Sequence, residues 1–280
     1  MVESVPPLAG AGTRFLLAGL LLASFIAARR SPRLLRVSPR EAVACAAIGL
    51  LLPAIGNGLV TVAEQEVPSS LAALIVATVP LWMVLFRSAS SDRSSRLGVV
   101  GTALGFLGLA LLLRADTAGF AIGWALLIVA ASASWAIGST IQRVLPLPRD
   151  NYVTTAYEMI FGGIFLLVGA GVAGETFRPR QVSAESAAAW VYLTLAGSLL
   201  AFSCYSWLLS NSRLSFVSTY AYINPVVAVV LGVVFLGETL PPIALVGGAV
   251  TLVGVMVVVR FDGGRAQEAS LSNPARKALR

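Results

Sequence analysis

The chain has 280 residues, 57% of them hydrophobic and only 12% charged. Soluble globular domains run near ~25% charged, so this composition belongs to the membrane class. The net charge of +7 sits on arginines placed between apolar runs, which makes it a topology signal and excludes nucleic acid as an expected partner. There is no histidine, which removes His-based hydrolysis, haem ligation and the common metal motifs. The one lysine, Lys277, leaves no GxxxxGK[ST] phosphate loop, so direct ATP use is not expected. The expectation is a protein without metal or cofactor that is not an enzyme. Cys45 and Cys204 lie in separate apolar segments and read as buried, inert thiols.

About 20 apolar residues cross a bilayer. Nine such stretches follow in order: 8–28, 42–62, 69–86, 97–113, 120–141, 152–172, 187–209, 215–236 and 242–260. The first is no cleavable signal, because acidic Glu3 precedes it and its basic residues follow the apolar core. The connections alternate in charge. Sixteen Lys and Arg fall on one side, in 29–41, 87–96, 143–149, Arg213 and the tail, against Arg114, Arg178 and Arg180 on the other. The rich side is expected in the cytoplasm, with the N-terminus outside and the C-terminus inside. Residues 261–280 are polar and of mixed charge, and read as a disordered cytoplasmic tail.

The second and third spans meet at Gly56–Pro80, where a short acidic turn (Glu64, Gln65, Glu66) leads into a helix carrying Pro80. A similar layout recurs at Tyr205–Pro225, which ends in Asn224-Pro225. An interior proline removes a helix hydrogen bond at a cost of about 3 kcal/mol, so helix breaks are expected at both Pro80 and Pro225. Two interrupted helices at matching places point to a carrier's binding site.

Sliding the chain by about 145 positions aligns Pro80 with Pro225, Gly101 with Gly247, Gly108 with Gly254, Arg114 with Arg260 and, with a gap or two, Arg14 with Glu158. The arginine-rich loop 87–96 then falls on GETLP (237–241), which has no basic residue. Matching loops of opposite polarity predict an inverted repeat. The repeats are 1–118, with four helices, and 119–260, with five; span 120–141 has no partner in the first half. The expected fold is an all-α polytopic membrane protein with nine transmembrane helices in a 4+5 inverted repeat.

The stretches PPLAGAGTRFLLAGLLL (6–22), GNGLVTVAEQEVPSSLAALIVATVPLW (56–82), SWAIGSTIQR (134–143), INPVVAVVLGVVFLGETL (223–240) and GGAVTLVGV (247–255) resemble the EamA family of the drug/metabolite transporter superfamily. The resemblance spans nearly the whole chain and implies ten helices in a 5+5 inverted repeat, a central cavity, and export of amino acids or other small metabolites. It also implies that this chain lacks the family's first helix, since PPLAGAGTRF resembles the connection into the second. A mis-assigned start codon is the expected explanation.

Polar and aromatic residues inside spans are the candidate site. Glu158 lies about 10 Å below the inner surface at 1.5 Å per residue, where an acidic side chain must face protein or water. It reads either as a proton-coupling or cation-binding carboxylate, or as a carboxyl hydrogen-bonded between helices. Arg14 enters from the outer side, roughly 10 Å from Glu158 along the membrane normal. It either snorkels to the interface or attracts a substrate carboxylate. Asn57 and Asn224 suit substrate amide bonds or repair of carbonyls freed near the prolines. Trp82, Trp135, Tyr157, Tyr205 and Tyr220 suit cavity walls, with Trp207 and Tyr222 beside them, while Ser139 and Thr140 fit cavity lining or helix–helix hydrogen bonds. Glu238 reads as an exposed loop carboxylate, while the resemblance makes it a recurrent family position with a structural role. The glycines of 98–108 and 247–254 suit close helix packing, within the chain first and in a homodimer second.

The reading that follows is a secondary exporter of a small metabolite, multi-pass in a bacterial inner-type plasma membrane, with lipid and a small-molecule substrate as partners. Flipping of a lipid-linked substrate is the alternative within carriers. A membrane scaffold or an intramembrane enzyme is the alternative outside them.

Overall fold

The computed structural model describes residues 5–89, 95–114, 122–176, 182–212, 217 and 220–261. The expected tail from 262 onward lies outside the described residues. Every regular element among them is helical. These are α1 (Pro7–Arg29), α2 (Pro39–Ala63), α3 (Ser69–Val76), α4 (Val79–Ala89), α5 (Arg96–Arg114), α6 (Ile122–Ile141), α7 (Asn151–Val172), α8 (Ala184–Asn211), α9 (Tyr220–Leu236) and α10 (Pro242–Phe261). With α3 and α4 taken as one span, eight described helices are long and apolar enough to cross a bilayer, and α9 is a shorter apolar helix. This is the all-α polytopic membrane fold expected from hydropathy.

Local sequence explains where the helices begin. Ser38 and Glu41 close a capping box on α2: Ser38 Oγ accepts from the Glu41 amide at 3.3 Å, and Glu41 Oε2 from the Ser38 amide at 2.7 Å. Asp150 Oδ1 accepts from the amides of Tyr152 and Val153, and Ser183 Oγ from that of Ser186. Two other starts are capped from far along the chain. The Glu175 carboxylate takes the Leu8 and Ala9 amides at 3.1 and 2.8 Å. Glu238 takes the Ser69 and Ser70 amides, both at 3.0 Å, and the Ser70 hydroxyl. Glu238 is therefore a helix cap, the structural role of the two expected, and not a free loop carboxylate. Gly237, at φ +65°, turns the chain back to place it there.

The described helices fall into two compact units, each made of two separate segments of the chain. The first comprises Met1–Glu66 and Ile137–Asn211, the second Val67–Ala136 and Ser212–Arg280, so α6 passes from one to the other after Ala136.

In the first unit α1 packs along α7 through small residues. A Cβ on Gly12 would lie 3.1 Å from the Gly163 carbonyl oxygen, and one on Gly19 would lie 2.8 Å from that of Ala156. Moving up α1 means moving down α7, so the two are antiparallel. In the second unit α5 and α10 repeat the arrangement. A Cβ on Gly101 would meet the Gly254 oxygen at 3.0 Å, and one on Gly247 would meet the Gly108 oxygen at 3.0 Å. These glycines, expected to pack helices, do so within the chain. Only backbones without a Cβ come this close, and the close contact gains dispersion energy that hydrophobicity cannot supply between helices in lipid.

The expected helix breaks fare differently. The α3–α4 span breaks at Ala77-Thr78, and Pro80 sits in the first turn of α4, where its missing N–H costs little. Thr78 repairs the break itself, its Oγ1 donating to the Ile75 carbonyl at 2.7 Å. Pro225 breaks nothing: it lies inside continuous α9, where its ring removes only the bond to the Ala221 carbonyl. The other irregular stretches are π-helical, Leu50–Asn57 within α2 and Leu193–Ala201 within α8. They stand about 144 positions apart, close to the repeat offset, and both belong to the first unit.

Candidate transport site

The first unit holds two buried polar clusters, one built on α1 and one on α7. On α1, Arg14 is 6% exposed. Its Nη2 donates to Asn57 Oδ1 at 2.5 Å, and its Nε has no hydrogen-bond partner. Arg14 therefore does not snorkel. Asn57 ends the π-helical stretch of α2, and Thr61 one turn later donates to the Asn57 backbone oxygen at 2.9 Å. A buried guanidinium hydrogen-bonded to one neutral amide, with a donor to spare, has the chemistry that suits an anionic group.

On α7, Glu158 is completely buried. Ser206 Oγ of α8 donates to its Oε2 at 3.4 Å, and Gln142 Nε2, just past α6, donates to Ser206 Oγ at 3.1 Å. Glu158 Oε1 and Gln142 Oε1 are buried without partners. Beside them, Ser139 Oγ, three residues before Gln142, and the hydroxyl of Tyr205, directly before Ser206, share a hydrogen bond of 2.7 Å. The α1–α7 register sets Arg14 level with Phe161, about 4.5 Å of helix rise from Glu158 and nearer than the depth from each surface implies. No salt bridge joins the two among the described residues.

The remaining candidates divide by unit. In the first unit the Tyr157 hydroxyl donates to the Leu35 carbonyl at 2.7 Å and its ring lies against Phe161, which makes it a brace for the 31–36 turn. Thr140 is half-buried on α6. In the second unit Trp82 and Trp135 pack on one cluster with Val79, Met83 and Ala136, and Trp82 meets Phe106 edge-on at 5.0 Å. The Trp82 Nε1 is buried without a partner. Tyr220 begins α9 half-buried. Asn224 is exposed and makes no hydrogen bond among the described residues, so it repairs no carbonyl freed by Pro225. Cys45 is buried, but Cys204 is exposed, against expectation.

Sequence reading missed Gln142, Ser206, Thr61 and Thr78. Gln142 directly precedes Arg143 and so reads as a span-end residue, and single serines or threonines in apolar runs give no signal of what they face. The i to i+4 spacing of Asn57 and Thr61 was the one available clue.

Helices long enough to span lipid, packed through glycines and carrying buried charges of both signs, define a polytopic membrane protein with a polar interior. The chain belongs to the EamA-like transporter family, whose model matches it at residues 1–114 and 122–260. It is 40% identical to the uncharacterized inner membrane transporter YedA of Escherichia coli K12, over 92% of this chain and 83% of that protein. It is 32% identical to a probable terminal-alkyne amino-acid exporter of Streptantibioticus cattleyicolor, over 74% of this chain and 69% of the relative. A crystal structure 20% identical in sequence shares the fold with a TM-score of 0.65, covering 93% of this chain and 89% of the other.

Proposed function

We propose that the protein is a secondary exporter of amino acids or similar small carboxylate-bearing metabolites, working by alternating access. The observation that carries this reading is Arg14, a membrane-embedded guanidinium that hydrogen-bonds a neutral amide, forms no salt bridge among the described residues and keeps an unused donor. Its charge is costly in a bilayer unless it serves an anion. The similarity to a probable amino-acid exporter supports the same substrate class.

The repeats 1–118 and 119–260 act in this reading as inverted copies. Two matches to one family model support that division. So do the antiparallel pairs α1–α7 and α5–α10, since contacts such as Gly12–Gly163 and Gly19–Ala156 exchange under the repeat offset. The arginine distribution supports a cytoplasmic C-terminus.

The test expresses the chain in cells challenged with a panel of amino acids and antimetabolites, alongside Arg14→Ala. Protection by the wild type against one carboxylate-bearing class, lost in the variant, is the expected result. Equal protection by both would remove Arg14 from the site, and no protection from any compound would count against export.

A further inference from the structure

The Glu158 cluster holds a second site that export of a carboxylate does not use. Three oxygen-bearing side chains from three elements meet on one hydroxyl: Gln142 and Glu158 both bond Ser206 Oγ. All three are nine-tenths or more buried, at 4%, 0% and 2% exposure. The two partnerless atoms, Glu158 Oε1 and Gln142 Oε1, are both acceptors. A buried acceptor left bare costs about 1–3 kcal/mol, more where it carries charge, so two in one cluster call for a shared electrophile.

We propose that Glu158, Gln142 and Ser206 bind one small monovalent cation, sodium in the first instance. Charge sets the valence. Glu158 brings a single negative charge and the other two ligands are neutral, so a monovalent ion leaves the cluster neutral whereas a divalent ion would bury a net positive charge. Ligand chemistry sets the class. The donors are carboxylate, carboxamide and hydroxyl oxygens, which suit hard cations, and no group of three His, Cys, Asp or Glu is present among the described residues to hold a transition metal. A proton on Glu158 Oε1 satisfies both oxygens only where Gln142 Oε1 lies within direct hydrogen-bond reach, whereas a cation bridges both at its own coordination distance. Ser206 lies just over one helical turn beyond the π-helical stretch of α8, an irregularity on the same helix that a bound ion can bias. That this ion couples to transport rests on the exporter reading; that it binds does not.

Thermal unfolding of the purified full chain in detergent tests the site, followed by tryptophan fluorescence at constant pH and ionic strength. Sodium, lithium or potassium chloride replaces N-methyl-glucamine chloride. The expected result is a saturable rise of a few degrees in Tm with sodium. The rise should be absent in Glu158→Gln and require at least tenfold more sodium in Gln142→Leu and Ser206→Ala. Should Glu158→Gln fail to fold, the other two variants carry the comparison. A wild type indifferent to all three ions, or an unchanged shift in the variants, overturns the proposal. So does a shift caused by an amino acid in sodium-free buffer but not by sodium, which would assign Glu158 to a substrate ammonium group. A sodium shift without export in cells would sink the exporter reading alone. Export without any sodium shift would sink the cation site alone.

Discussion

Arg14 and Glu158 occupy equivalent places in the repeat alignment, yet they solve opposite electrostatic problems. Each lies two residues past a close-packed small residue, Gly12 or Ala156, on one of two antiparallel helices. Each reaches a neighbouring helix at or beyond its π-helical stretch, Asn57 for Arg14 and Ser206 for Glu158. In the proposed repeat the two places share a backbone setting while the charge is reversed. One copy offers a donor without a partner, the other acceptors without partners. Position is a property of the fold, and ligand sign is a property of one side chain.

That contrast can be broken at several levels. The largest effect should come from Arg14→Ala, which removes a charge-assisted contact worth about 1.5–3 kcal/mol and should slow efflux from preloaded cells about 10- to 100-fold. Arg14→Lys should restore only part of the rate, because an ammonium lacks the planar fork. If the paired scaffolds are equivalent, Gly19→Leu and Gly163→Leu should destabilise the detergent-solubilised protein alike, by about 1–3 kcal/mol, through overpacking. Gly123→Ala, with nothing within 4 Å of its Cβ, serves as the unaffected control in the same unfolding measurement. Glu175→Ala and Glu238→Ala each strip a helix start of its acceptor and should lower stability by about 0.5–2 kcal/mol. The smallest effect concerns the two prolines. Pro225→Ala, inside a continuous helix, should leave efflux within about twofold of wild type, because it restores one backbone bond to Ala221 and moves no break. Pro80→Ala, beside the break at Ala77-Thr78, should reduce efflux more than Pro225→Ala in the same assay.

The spans were legible because bilayer crossing is a local requirement: a run of apolar residues must satisfy its own backbone as a helix whatever surrounds it. The offset linking Arg14 to Glu158 and Gly101 to Gly247 was legible too, since it needs only letters. The stretch 56–82 carried enough specific residues to resemble the family on its own. Pro225 shows the limit. A proline signals a lost hydrogen bond, but whether the helix bends depends on what packs beside it, and here α9 runs straight on. Glu238 shows another, for its role depends on Ser69 and Ser70, 168 or more positions away.

From sequence alone came the order of the apolar helices, the side expected to face the cytoplasm and the residues expensive enough to demand a purpose; of the nine spans expected, eight described helices are long enough to cross and α9 is shorter. Tertiary structure decided the partners of those residues, Asn57 for Arg14 and Ser206 with Gln142 for Glu158, and set a break beside Pro80, none at Pro225, and π-helical stretches at 50–57 and 193–201. The physical reason is range. Hydropathy is summed along one helix, whereas a buried charge is satisfied across helices by atoms that neighbouring letters do not name.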